Sequence, residues 1–230
     1  MCTIQVNAQL YTRTTFNAAY VPITTGGGAT ISTATGNDAN HTGISLGFTF
    51  TYAGNSYSTI GLNTNGLLFF DAVAPAANAG NFSLFSTNAP NLCITAWCND
   101  LIDDASSDIL YQTQGAPGSR TFTVQYTNYP NSPGTNGSNV RMNYQVILFE
   151  TSNVIEYHYG VVNITGNIGF HPGAAIGLEY GAGGKGNYID AVTGSKGTTN
   201  RMLSAVTSWP AVNYRFTPGA PTPEPVEHTM

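Results

Sequence analysis

Four aspartates within nine residues form the densest group of ionisable side chains in the chain: Asp100, Asp103, Asp104 and Asp108. Carboxylate oxygens are ligands that Ca²⁺ prefers, and backbone carbonyls or water would complete its coordination. The spacing lacks the alternating Asp/Asn order with a central glycine that is typical of helix-flanked calcium loops. The alternative, which we favour, is a turn in which these side chains accept backbone N–H bonds. We therefore expect no cofactor, with Ca²⁺ at this loop as the candidate metal.

Glu156 and His158 form a second candidate site. Residues 143–150 and 154–159 predict a hairpin, and an i, i+2 pair on one strand faces the same side. A carboxylate beside an imidazole can act as general base and acid. We favour the alternative of an exposed cross-strand polar pair. The sequence marks no second carboxylate across a cleft, no G-x-S-x-G nucleophile and no zinc-ligand histidine pair. We expect no catalytic residues.

Aromatic residues near predicted loops and strand ends supply a third candidate site. Sugar-binding sites combine an aromatic platform with Asn, Asp and Gly groups that bond to hydroxyls. The alternative, which we favour, is partial burial of the rings at the rim of the fold. The predicted ligand-binding set comprises Tyr129, Tyr180, Asn187, Tyr188, Asp190 and Trp209.

Short strands must position these side chains. Residues 48–52 and 121–126 alternate apolar with polar side chains, which is typical of strands with one buried and one solvated face. Residues 66–70 and 93–97 are apolar on both sides and suit central strands. No stretch has a sustained helical period of about 3.6 with caps. We predict an all-β protein, an antiparallel, jelly-roll-like β-sandwich with little or no helix.

The two cysteines of the LCITAWC segment, Cys93 and Cys98, lie five residues apart. In a straight strand this odd spacing points the thiols to opposite faces, too far apart to bridge, although a bulge would change this. We favour two buried free thiols over a disulfide.

Composition and charge exclude several classes of partner. Charged residues make up 8% of the 230 residues, and the net charge is −5 with 7 Lys and Arg. This charge provides no basic surface, so we expect no nucleic-acid partner. No apolar run reaches the length of about 18 residues that crosses a membrane as a helix, so we expect no membrane insertion.

The termini differ in composition from the rest of the chain. Residues 1–8 resemble the end of an export signal, because Val6 and Ala8 occupy the small-residue positions of a cleavage site; an ordinary first strand is the alternative. Residues 9–217 are predicted to form a single β-sandwich domain. Residues 218–230 are Pro-rich and predict a tail or linker. The location expected is secreted or at the cell surface.

Several motifs occur in a recognisable order between residues 44 and 216. These segments are GFTFTYAGNSYSTIGLNTNGLLFF at 47–70, ITAWCNDLIDD at 94–104, ILYQT at 109–113, RTFTVQY at 120–126, QVILFETSNVIEYHYG at 145–160, IGLE at 176–179 and NYRF at 213–216. Together they resemble the nidogen-like β-sandwich module of many secreted bacterial proteins, especially of the Bacteroidota. Cys98 and Asn99 depart from that pattern, which prefers a bulky or acidic residue there.

The resemblance implies the fold but specifies function poorly, since such modules occur in adhesins, enzymes and matrix proteins. We expect a secreted or cell-surface, non-catalytic interaction module for adhesion or extracellular assembly. Its expected partners are an extracellular protein, a glycan or like subunits, which an edge strand could pair. A carbohydrate-binding module is the alternative, and a hydrolase with an unrecognised site is a further one.

Overall fold

The computed structural model describes residues 11–75, 90–131, 140–165, 174–181, 188–192, 194 and 208–219. Its strands in chain order are β1 (Tyr11–Phe16), β2 (Thr30–Ile31), β3 (Asn40–Tyr52), β4 (Asn55–Asn63), β5 (Leu67–Phe69), β6 (Leu92–Cys98), β7 (Asp108–Gln114), β8 (Thr121–Pro130), β9 (Val140–Phe149), β10 (Ile155–Tyr159), β11 (Asn163–Ile164), β12 (Ala175–Tyr180), β13 (Tyr188–Asp190) and β14 (Asn213–Pro218). One 3₁₀ turn, Thr25–Gly27, is the only helical element in these ranges.

The strands form two antiparallel sheets. The large sheet has eight strands in the order β1-β14-β10-β9-β8-β7-β2, with β11 paired to β9. The small sheet has six strands in the order β13-β12-β6-β5-β4-β3. Strands β3 to β6 form one meander and β7 to β10 another, and the last strands return to both sheets. The predicted all-β sandwich is confirmed.

Alternation along each strand places one row of side chains in the core between the sheets. In β8 the inward residues Phe122, Val124 and Tyr126 are fully buried, whereas the outward side contributes polar residues. The same alternation runs through β9, and its inward residues lie beside those of β8 in the antiparallel register. Removing these side chains from water is the main stabilising contribution, at about 25 cal/mol per Å² of apolar surface.

Four tyrosines of the large sheet donate hydrogen bonds across the core to backbone carbonyls of the small sheet. The acceptors are the carbonyls of Asn63, Trp97, Gly177 and Ala96. These bonds satisfy hydroxyls that would otherwise be buried unpaired, and burial raises the pKa of all four well above the ordinary value. The donors and distances are Tyr126 at 2.7 Å, Tyr144 at 3.2 Å, Tyr157 at 2.6 Å and Tyr159 at 2.7 Å, respectively.

The NTNG motif is the turn between β4 and β5. Asn63 Oδ1 accepts a hydrogen bond from the N–H of Asn65 at 2.7 Å, which closes the turn. Gly66 has φ of +84°, and a Cβ there would lie 2.0 Å from the carbonyl oxygen of Trp97. Only glycine therefore fits this position, which explains the motif through local geometry.

The local predictions for the hairpin and the cysteines are confirmed. Strands β9 and β10 pair antiparallel across residues 150–154. Cys93 and Cys98 are both buried and free. They pack in the same cluster, because two residues of β12 oppose three of β6, and this bulge reverses the alternation between the thiols.

The predicted boundary between the domain and its C-terminal tail lies within the described residues. β14 extends to Pro218, which pairs with Tyr11, so the strand runs one residue into the predicted tail. Residues 1–8 and most of the predicted tail lie outside the described residues.

Candidate functional site

The connection between β1 and β2 crosses the outer face of the large sheet. β1 lies at one edge of this sheet and β2 at the other, so residues 17–29 must traverse its width. We call residues 17–29 the strap. The strap lies on the face turned away from the core, because the sheet side chains that hold it alternate with buried core residues.

Side-chain amides hold the strap to the sheet. Gln125 bonds both backbone groups of Ile23: its Oε1 accepts from the N–H at 2.8 Å and its Nε2 donates to the carbonyl at 3.1 Å. Gln145, directly opposite Gln125 on β9, donates to the carbonyl of Val21 at 2.8 Å and to Gln125 Oε1 at 2.7 Å. Both glutamines are buried, so these bonds satisfy amides that would otherwise cost free energy to desolvate.

Two further amides anchor the ends of the strap. Asn213 Nδ2 on β14 donates to the carbonyl of Ala18 at 3.1 Å. Gln112 Nε2 on β7 donates to the carbonyl of Gly27 at 2.6 Å. The strap is therefore fixed by side chains from β7, β8, β9 and β14, which together span most of the sheet.

A groove of about 400 Å³ lies between the strap and the outer face of the large sheet. The strap forms one wall, with Ala19, residues 21–24 and Gly27. The floor comes from four adjacent strands, β7 to β10. The described floor residues are Gln112, Gln114, Thr121, Thr123, Gln145, Ile147, Phe149, Glu156 and His158. Its volume falls within the range of ligand-binding clefts, about 300–1,000 Å³.

One end of the groove contains a buried charge network centred on Glu156. His158 Nε2 donates to Glu156 Oε2 at 2.7 Å, and Arg215 Nε donates to Oε1 at 2.6 Å. Phe16 packs edge-on against the His158 ring, with centroids 5.3 Å apart, and the Arg215 guanidinium lies over Phe16 at 5.0 Å. The predicted shared face of Glu156 and His158 is thus observed. The expected exposed pair is wrong, because Glu156 is only 4% exposed beneath these partners.

The partners of Glu156 decide its charge state. Burial by itself raises the pKa of this carboxyl, but the hydrogen bonds from His158 and Arg215 outweigh burial and hold the pKa below its ordinary value. Glu156 is therefore a carboxylate whose charge is compensated in place. It is the only carboxylate among the described residues that line the groove, so this lining lacks the second acid of a glycoside hydrolase.

The aspartates of the predicted metal loop are engaged in turn contacts. Asp104 Oδ1 accepts from the N–H of Ser106 at 2.9 Å, and Asp103 Oδ1 accepts from the Ser107 hydroxyl at 2.8 Å. Arg141 pairs with Asp104 through two bonds of 3.0 and 2.7 Å. The Arg141 hydrogen bond is the main reason that the pKa of Asp104 is lowered.

The other two aspartates lie apart from this turn. Asp108 is exposed at the start of β7, and the backbone N–H of Asp100 bonds to Asn99 Oδ1 at 2.8 Å. Within the described ranges, no group of three His, Cys, Asp or Glu side chains is placed to hold a metal. The contacts of Asp103 and Asp104 are those of the turn alternative, and Ca²⁺ binding stays a prediction.

The rings of the predicted sugar platform face inward rather than outward. Tyr129 is fully buried and packs edge-on against Tyr126 at 5.2 Å. Tyr180 is 2% exposed and donates to the carbonyl of Tyr188, which is also buried. Trp209 is half-buried: it packs on Trp97 at 5.0 Å.

The polar members of that set do not complete a platform in the described residues. Asp190 is buried and its Oδ1 accepts from the N–H of Val192 at 2.7 Å, which closes a local turn. Asn187 lies outside the described residues. Sugar binding through this set stays a prediction, and it would require the buried rings to be uncovered.

The strap and the glutamines that hold it were not among the predicted sites. Gln125 lies on the predicted solvated face of residues 121–126, and Gln145 lies in the predicted hairpin. A glutamine on the outer face of a central strand is a weak signal, because its partner lies 102 residues away in sequence.

Two packed antiparallel sheets with a strapped groove on one outer face define a β-sandwich module. The chain belongs to the NIDO-related family, the nidogen-related group, whose model matches residues 10–218. The predicted resemblance is therefore confirmed, and the Bacteroidota origin stays a prediction. No curated protein and no solved structure matches the chain. In the described part of the chain, no helix is long and apolar enough to span a membrane.

Proposed function

We propose that the protein is an extracellular, non-catalytic interaction module that contacts its partner through the strapped groove. The groove is the observation that supports this proposal most. It is lined largely by uncharged side chains, and its single described carboxylate, Glu156, is already paired with His158 and Arg215. Membership of the nidogen-related family supports an extracellular setting. A surface with few charges loses little hydration energy on contact, so weak contacts repeated over many copies can give adhesion.

An adhesion assay tests this proposal. Beads coated with the full chain should bind to cells or extracellular matrix, and Gln114→Arg should abolish the binding because it places a charged side chain at the groove. Thr217→Arg is the matched control, since Thr217 is exposed on β14 of the same sheet and lies outside the described groove lining. Both variants should keep the wild-type unfolding midpoint. Absence of binding by wild-type beads, or equal loss in both variants, would overturn the proposal.

The non-catalytic part has its own test. A screen against glycosidic, ester and peptide substrates should give no turnover with the wild-type protein. Turnover that disappears in Glu156→Gln or Asp103→Asn would show that the end of the groove or the acidic turn is an active site.

Self-association is the second candidate, and β3 is the observation that favours it. This strand of 13 residues forms an edge of the small sheet and offers backbone groups for pairing. Register shifts within β3 bend the strand, which limits how many bonds a second copy could add. Sedimentation over a hundredfold range of concentration should show a dimer if β3 pairs; a constant monomer would exclude this mode.

A further inference from the structure

The groove floor carries hydrogen-bonding groups that the described protein leaves free. Gln112 uses its Nε2 on the strap, and its Oε1 has no partner in the described residues. The side chains of Gln114, Thr121 and Thr123 likewise make no hydrogen bond to the described residues, although they line the groove. Their hydroxyl and amide groups can each donate and accept, so they suit a ligand that does the same.

These groups form a regular array. Gln114, Thr121 and Phe149 lie side by side on β7, β8 and β9, and Gln112, Thr123 and Ile147 form the next row. Neighbours within a row are about 4.8 Å apart and the rows about 7 Å apart, as in any antiparallel sheet. Ile147 and Phe149 are half-buried, so each row passes from polar side chains on β7 and β8 to an apolar side chain on β9. The floor thus offers a polar half on β7 and β8 beside an apolar pair of side chains on β9.

The charges of the groove disfavour an ionic ligand. No lysine or arginine is among its described lining residues. The Glu156 carboxylate is paired with His158 and Arg215 and is not available to a cation without breaking those bonds. A charged ligand would lose its hydration without gaining a counter-charge, which costs several kcal/mol.

The position of the floor also disfavours a peptide strand. Strands β8 to β10 are paired on both sides within the sheet. β2 pairs with β7 only at Leu110 and Tyr111, so along the groove only residues 112–114 of β7 lack a partner strand, and this edge is shorter than an ordinary strand of about 5–6 residues. Strand addition needs a free edge, and the groove presents side chains instead.

We propose that the groove binds a neutral oligosaccharide, whose hydroxyls bond to Gln112, Gln114, Thr121 and Thr123 while its apolar ring faces pack on Ile147 and Phe149. This inference rests on the proposed function and names the ligand class of the same groove. It differs from the aromatic platform expected from the sequence, since none of its contact residues belongs to that set.

A glycan array probed with the full chain tests the inference. Neutral oligosaccharides should bind and anionic ones should not. For a binding glycan, Thr123→Val and Gln114→Leu should each weaken binding by about 2–12-fold, the effect of one lost neutral hydrogen bond. Thr217→Val makes the same chemical change on the same sheet outside the described groove lining, and it should leave affinity unchanged.

The outcomes separate this inference from the proposed function. Failure of all neutral glycans, or equal losses in Thr123→Val and Thr217→Val, would overturn the glycan inference. If beads still bind cells through the groove after the cells are stripped of glycans by glycosidases, the partner is a protein. In that case the interaction function stands and the ligand class is wrong.

Discussion

Two buried glutamates lie on opposite sheets of this protein and differ in almost everything except their type. Glu156 on the large sheet is 4% exposed, and its two oxygens accept bonds from His158 and Arg215. Glu179 on β12 of the small sheet is fully buried, and neither of its oxygens has a partner in the described residues. Burial and, to a smaller extent, repulsion from Asp71 raise the pKa of Glu179 to about 9.

The difference shows that partners, more than depth, set the charge of a carboxyl in this fold. Both residues lie on the outward side of their strands: Glu179 alternates with the core residues Leu178 and Tyr180, and it sits opposite Cys93 of β6. Glu156 remains ionised because a guanidinium and an imidazole replace its water. Glu179 lacks such groups in the described residues, so it is a neutral acid at pH 7.

The same substitution should therefore have opposite effects at the two positions, and Glu179→Gln should give the larger one. Below pH 4.5 Glu179 is protonated in both the folded and the unfolded state, so it takes nothing from the free energy of unfolding. Above pH 4.5 Glu179 ionises in the unfolded chain, whereas in the folded protein it stays protonated until about pH 9. The free energy of unfolding therefore falls between pH 4.5 and about pH 9. At pH 7 the loss amounts to about 3 kcal/mol, which Glu179→Gln should recover. Denaturant unfolding from pH 4 to 8 measures it.

Glu179→Asp is the matched control, because it shortens the side chain but keeps the titrating group. Its stability should decline with pH as in the wild type. If wild type and Glu179→Gln run parallel over this range, Glu179 has a partner at neutral pH and the contrast with Glu156 is lost.

Glu156→Gln should destabilise the protein by about 1–2 kcal/mol at pH 7, since it removes charge-assisted bonds, one of them to a half-exposed arginine. The pKa of Glu156 is lowered, so its contribution is present above its unfolded value and is lost as pH falls through the folded one. The gap between variant and wild type should therefore close in acid. A variant that is as stable as wild type at pH 7 would show that the network contributes specificity without stability.

Gln125→Leu should have a smaller and more local effect, of about 1 kcal/mol. It removes both bonds to Ile23 and leaves the Gln145 amide one acceptor short. Hydrogen exchange of the Ile23 amide should accelerate more than that of the core strands, because the strap opens before the sheet does. Gln114→Leu is the control: its amide makes no bond in the described residues, so exchange should not change. Equal acceleration everywhere would mean that the strap and the sheet open together.

The features that could be predicted from the sequence are those that depend on neighbouring residues. Alternation in residues 121–126 predicted the strand and its inward face, and the hairpin after Phe149 followed from two strand patterns separated by a short loop. These features are local. The ionisation of Glu156 depends on Arg215, 59 residues away, and the strap is held by Gln112 and Asn213, 85 and 195 residues from their acceptors. Alternation predicts which face a residue occupies but not what covers that face, so the groove could not be predicted.

The smallest expected effect concerns the acidic turn, where carboxylates are neither buried nor unpaired. Asp104 faces Arg141 at the surface, so Asp104→Asn should cost less than about 1 kcal/mol. Arg141 already occupies both oxygens of Asp104, so Ca²⁺ would have to displace a cation. We therefore expect the unfolding midpoint to be unchanged by chelator or by millimolar Ca²⁺. Asp108→Asn is the control for the loss of a carboxylate, because Asp108 is exposed at the start of β7, and it should leave stability unchanged. A midpoint that falls with chelator and recovers with Ca²⁺ would support the calcium prediction, because a ligand that binds only the folded state stabilises it.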